Sequence, residues 1–141
     1  MIVQLTAERL ACREAWPPQG FWVEVFGVTE AMHDHHAPGF RPLVLGLRRA
    51  RAEHIPFSVV YRLTRSNYRH SAEMIRVAHT LGARAVGFCP APGDCRVPAP
   101  LPELAAPFIE RAFDVGRVWG VPVATTDRAE PPTARQWLPE L

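Results

Sequence analysis

Apolar positions along the first 125 residues switch repeatedly between helical and strand spacing. Leu5 to Ala15 (LTAERLACREA) starts with Thr6 as an N-cap, turns Glu8 and Arg9 outward and keeps Leu10 apolar, which predicts a short helix. Pro17 and Pro18 cannot continue it. Phe21 to Gly27 (FWVEVFG) is aromatic and β-branched, the composition of a strand. From Phe40 to His54, Leu43, Leu47 and Ala50 fall at helical spacing with Arg48, Arg49 and Arg51 on other faces. Ile55 to Thr64 alternates: Phe57, Val59, Tyr61 and Leu63 on one face, Ser58, Val60, Arg62 and Thr64 on the other. Ser71 to Gly82 predicts an amphipathic helix through Met74, Ile75, Ala78 and Leu81, with Gly82 as its C-terminal cap. Arg84 to Cys89 reads as a buried strand. The five prolines between Pro90 and Pro102 impose a loop. Glu103 to Gly120 predicts a helix with Leu104, Phe108, Ala112, Val115 and Trp119 as its buried stripe, and Val121 to Thr125 a last short strand.

This order is a helix, three strand–helix units and a final strand. Such alternation means right-handed crossovers and a parallel sheet. The fold class expected is α/β with about four parallel strands, either as a small open sheet covered on both faces or as an arc cut from a (β/α) barrel. No glycine-rich phosphate loop follows any of the strands, which removes the main support for a nucleotide-binding doubly wound fold. Residues 1–125 form the expected domain and residues 126–141, broken by proline, an irregular tail.

Composition narrows the function classes. A chain of 141 residues with 48% apolar content is one globular domain with a real core. All 16 basic residues are arginine, scattered rather than clustered, and the net charge is +2, so nucleic acid is not an expected partner. Glu8 and Arg9 break any secretory pattern, and no apolar run approaches the roughly 20 residues that span a bilayer. Three cysteines make no even disulfide framework, so a reduced cytoplasmic setting is expected.

The densest chemistry lies in Met32 to Phe40, MHDHHAPGF, with three histidines and an aspartate in four positions. Asp34 is placed to bond backbone amides at the start of the next helix. A zinc site needs three or four convergent donors. His33, His35 and His36 with Cys89 and Cys95 are the alternative metal set, because loops after parallel strands gather on one rim. Cys89 and Cys95 form an alternative redox pair, and Cys12 reads as a small buried hydrophobe.

Several features in order resemble a known family. They are the LTAERL helix opening, Thr29-Glu30, His33-Asp34, Gly39-Phe40, the HIP of His54 to Pro56, Thr64 with Asn67, and Leu81-Gly82-Ala83. Together they resemble the middle of a radical S-adenosylmethionine barrel, in the branch with SPASM or Twitch extensions, from about Leu5 to Pro92. The resemblance implies half of a radical-SAM-type, TIM-like barrel. It implies that the strand end carrying Arg62, Thr64 and Asn67 lines what is left of the cofactor pocket. The simpler role for Thr64 and Asn67 is to cap the turn and helix that follow.

The departures set the functional expectation. Members of the family hold a [4Fe–4S] cluster on a C-x-x-x-C-x-x-C loop, and no cysteines here have that spacing. The second strand with its glycine-glycine-glutamate motif is also missing from the pattern. The expected function is therefore a catalytically incompetent accessory or binding module, working as a homodimer or with a complete radical SAM or peptide-modifying enzyme. No cofactor is expected, with S-adenosylmethionine bound weakly at best. The alternatives are one part of a split radical SAM enzyme, its iron–sulfur cluster supplied with a partner, or a zinc-dependent activity at the barrel mouth. The strand edges, Phe21 to Phe26 and Val121 to Thr125, and the concave face are expected to be open. Trp137 and Leu138, a second copy or a partner would cover them.

Overall fold

The computed structural model describes residues 3–12 and 16–131. Trp137 and Leu138 lie outside that range. Five parallel strands in sequential order form one sheet: β1 (Val3–Gln4), β2 (Phe21–Val25), β3 (Phe57–Leu63), β4 (Val86–Pro90) and β5 (Val123–Thr125). The crossovers are α1 (Ala7–Ala11), the pair α2 (Glu30–Asp34) and α3 (Phe40–Ala52), α4 (Ser71–Leu81) and α5 (Pro102–Trp119). A single-turn 3-10 helix, Tyr68–His70, leads into α4. The α/β parallel arc is as expected, with one more strand. β1 escaped notice because two residues cannot show a period. It pairs Val3 with Phe21 and Gln4 with Trp22, so the start of β2 is not the open edge that the sequence suggests.

Strand parity builds the core. Phe21, Val23 and Val25 of β2, Phe57, Val59, Tyr61 and Leu63 of β3, and Val86 and Phe88 of β4 point to the helices and pack with Leu43, Leu47, Met74, Ile75 and Ala78. The stripes predicted for α3 and α4 are the buried ones. Thr6 caps α1, its hydroxyl accepting from the Arg9 amide, and Gly82 closes α4 in the left-handed conformation at φ 89°.

On the opposite, concave face, Ser58, Val60, Arg62, Ala85 and Cys89 at the centre are buried within the chain. Two expectations are corrected. Of the stripe expected on α5, Ala112 is buried and Phe108 and Val115 pack against the core, but Leu104 is 53% and Trp119 40% exposed, and Ala105 and Gly116 are buried instead. The helix has rotated to set its small residues against the sheet, because it must lie close to β5. Cys12 is exposed at the C-terminal cap of α1 rather than buried.

Gly116 shows how close that approach is. A Cβ built there would lie 2.7 Å from the Val121 carbonyl oxygen and 2.7 Å from Val123 Cγ2, and the former is backbone. Gly116→Ala is expected to destabilise the fold by about 1–3 kcal/mol, the overpacking outweighing the roughly 1 kcal/mol that alanine gains in a helix. Gly93, whose Cβ would meet nothing within 4 Å, is the control. Urea denaturation of Gly116→Ala and Gly93→Ala checks the contrast, Gly93→Ala being neutral or slightly stabilising.

Candidate functional site at the mouth of the arc

The strand C-termini meet at one rim, and two side-chain networks organise it. The first is centred on Arg62, which β3 directs to the concave side at only 7% side-chain exposure. Its Nε donates to Glu24 Oε2 at 2.7 Å, and one terminal nitrogen donates to Cys89 Sγ at 3.2 Å and to the Ala129 carbonyl. Glu24 Oε1 in turn accepts from Gln4 Nε2 at 2.5 Å. Register makes this possible, since Glu24 pairs with Val60 and Arg62 with Cys89, which sets like-facing residues of adjacent strands side by side. One chain of contacts thus runs from β1 through β2, β3 and β4 to the segment after β5.

The second network is centred on Asn67, which is fully buried. Its Oδ1 accepts from the Thr64 amide at 2.8 Å, and its Nδ2 donates to the Phe26 carbonyl at 2.9 Å and the Arg62 carbonyl at 2.8 Å. Thr64 Oγ1 lies 3.0 Å from Ser66 Oγ, which lies 3.1 Å from His36 Nε2. Asn67 therefore joins the ends of β2 and β3, the turn-capping role that the sequence allows.

Thr29 nucleates α2 by accepting the Met32 amide on its hydroxyl, so the histidine stretch starts in this short helix with His33, while His35 and His36 lie in the turn and loop that lead to α3. Asp34 Oδ1 accepts from the Phe40 amide at 3.1 Å and so caps the first turn of α3. His33 is buried, its Nδ1 accepting from the Phe26 amide at 3.0 Å. Phe26 consequently has both backbone groups held by side chains. His36 stacks on the Phe26 ring at 5.5 Å, and the His35 and His36 rings meet edge-on at 5.1 Å.

The alternative metal set is not assembled. No three His, Cys, Asp or Glu side chains among the described residues lie close enough to hold an ion. His33 faces backbone, His36 faces Ser66, and Cys89 faces a guanidinium, which repels a cation. Burial pushes the Cys89 thiol up to about 11, with the Arg62 charge opposing and Glu24 adding to the rise. Cys95 is raised by burial and by Asp94, with Arg62 opposing. Neither is poised as a thiolate, and both are free thiols. These residues do not fit an iron–sulfur cluster, and no radical chemistry follows from them.

Glu24 and Gln4 are the site residues that sequence reasoning missed. The signal was the lone carboxylate in FWVEV, on the inward parity of a strand next to one with an inward arginine.

No protein-family model matches the chain, and no curated protein does. Among solved structures, the crystal structure of a domain of pyruvate-formate lyase-activating enzyme from Bacteroides vulgatus ATCC 8482 superposes with a TM-score of 0.54 at 14% identity. The match covers 77% of this chain and 68% of that one. The fold is radical-SAM-like: an unclosed arc of a parallel barrel with helices outside. At that identity the likeness is one of fold alone. No helix among the described residues is long and apolar enough to cross a membrane.

Asn67→Ala is expected to destabilise the protein by about 2–4 kcal/mol, since three hydrogen bonds disappear and an amide and two carbonyls lose a partner. Chemical denaturation measures it, and a loss below about 0.5 kcal/mol excludes the stapling role.

His33 makes stability depend on pH. Burial lowers its pKa from 6.5, with Asp34 opposing and His36 adding to the fall. The unfolded chain then takes up a proton that the folded one resists. Stability is fully present above about pH 6.5 and falls as pH drops below it. His36, lowered by burial, His35 and Arg96, acts in the same direction. His33→Asn keeps an acceptor for the Phe26 amide but cannot titrate, so it is expected to flatten the fall between pH 7 and 5 in thermal melts.

Proposed function

We propose that this chain is a non-catalytic, radical-SAM-like binding module that acts through protein contacts. The observation that carries the reading is the internal engagement of the rim. The resemblance assigns Arg62, Thr64 and Asn67 to a cofactor pocket, yet Arg62 is taken by Glu24, Cys89 and the Ala129 carbonyl, and Asn67 by three backbone groups. Groups that would otherwise recognise a carboxylate or ribose hold strands together here. The cysteine spacing supports the same reading, because Cys12, Cys89 and Cys95 cannot reproduce a C-x-x-x-C-x-x-C loop. The SPASM or Twitch branch, a cytoplasmic setting, and a second copy or a complete radical SAM enzyme as partner belong to this proposal and rest on the sequence features alone.

Binding of S-adenosylmethionine is the test. To bind it, the rim must first break the Arg62 and Asn67 contacts. Each new neutral hydrogen bond contributes about 1 kcal/mol, and association itself costs at least roughly 4 kcal/mol. Isothermal titration is expected to show no affinity tighter than about the millimolar range. A micromolar constant that is lost in Arg62→Ala overturns the non-catalytic reading.

A further inference from the structure

We infer that the flank of α5 beside β5 is a docking groove for an amphipathic helix with basic residues bordering its apolar face, carried by another protein. This rests on the reading of the chain as a binding module and names the surface that does the binding. In the arc, α3 lies between α1 and α4, and α4 lies between α3 and α5. Among the described residues α5 has a helical neighbour on one side only, α4, and β5 has a strand on one side only.

The free side is nonetheless apolar. Pro102, Ala106, Ile109 and Phe113 recur at helical spacing along it, beside the Ala105, Phe108, Ala112 and Val115 side that faces the core, with Ile109 at the boundary between the two. With Leu63 and Pro90 at the strand ends they line a groove of about 830 Å³, and Phe113 also borders a shallower one of about 340 Å³ that runs on to Gly120. The two together follow α5, whose 18 residues span about 27 Å. That is the position the next crossover helix of a longer arc would fill, and its run along α5 matches the length of a helix.

Charge selects the kind of helix. Glu110, Asp127, Glu130 and Arg128 stand around the larger groove, three carboxylates against one guanidinium and none in an ion pair among the described residues, while Arg117 at the shallower one is paired with Asp114. The segment that carries Asp127 to Glu130 is held in place. The Thr126 hydroxyl contacts the Arg128 and Glu130 carbonyls, and Arg62 holds the Ala129 carbonyl. A net acidic border along an apolar floor favours an apolar helix edged by lysine or arginine.

The test uses the full chain and two labelled 18-residue helical peptides of identical leucine pattern, one with lysine and one with glutamate at the polar positions. Fluorescence anisotropy is expected to show the lysine peptide binding at micromolar concentration and the glutamate peptide at least tenfold more weakly. Ile109→Glu, and Ala106→Glu at an exposed position that leaves the fold intact, should each weaken the lysine peptide at least tenfold. The triple variant Glu110→Gln, Asp127→Asn, Glu130→Gln should narrow the gap between the peptides to under threefold. Equal binding of both peptides, absence of binding, or binding indifferent to Ala106→Glu overturns the proposal. So does a wild-type dimer in light scattering that Ala106→Glu dissociates, since the occupant is then a second copy. The S-adenosylmethionine titration reads the rim and not this flank, so the two readings fail separately.

Discussion

Arg62 carries a positive charge that the fold buries under the rim. An uncompensated guanidinium there would cost several kcal/mol, so every neighbour has to answer it. Glu24 supplies the countercharge from the adjacent strand, Gln4 fixes the other oxygen of that carboxylate, and Cys89 and the Ala129 carbonyl take a second nitrogen. The contacts work only if β1 to β4 keep their register, because a slip of one residue would turn Glu24 or Cys89 to the helix side. A parallel arc that does not close has no barrel to enforce register, and this polar chain specifies it instead.

The same need to hold the strand ends engages the histidine stretch. Phe26 follows β2 at the point where its backbone groups leave the ladder. His33 takes its amide and Asn67 its carbonyl, which leaves neither side chain available. Asp34 is spent on the first turn of α3. A cluster that looks catalytic as a string of letters has His33 and Asp34 committed to two structural tasks once its short helix forms.

Long periodic elements were legible in the sequence. The stripes of α3 and α4, the two-faced β3 and the parallel order follow from 3.6 and 2.0 periodicity, which tertiary packing had no reason to override. β1 was not legible, since two residues hold no period. The middle of the α5 stripe was legible, since Phe108, Ala112 and Val115 do face the core, but its ends were not: hydrophobicity favours Leu104 and Trp119, whereas the close approach to Val121 and Val123 demands Gly116. At the site, Arg62, Thr64 and Asn67 were recognisable as inward and polar. Their partners were not, for Glu24 lies 38 positions from Arg62 and Ala129 lies 67, and only the register joins them.

Rim and flank are linked through one segment. The chain after β5 turns back because Arg62 holds the Ala129 carbonyl, and that turn sets Asp127 and Glu130 along the border of the α5 groove. The guanidinium that stabilises the arc from within therefore also positions acidic groups on its outer flank. In an open arc the interior positions at the rim are consumed by holding the strands in register, while the last helix keeps an apolar side with no helical neighbour among the described residues. Under the proposed binding role, recognition falls on the outside of α5 rather than inside the mouth. That division of labour follows from leaving a parallel sheet unclosed.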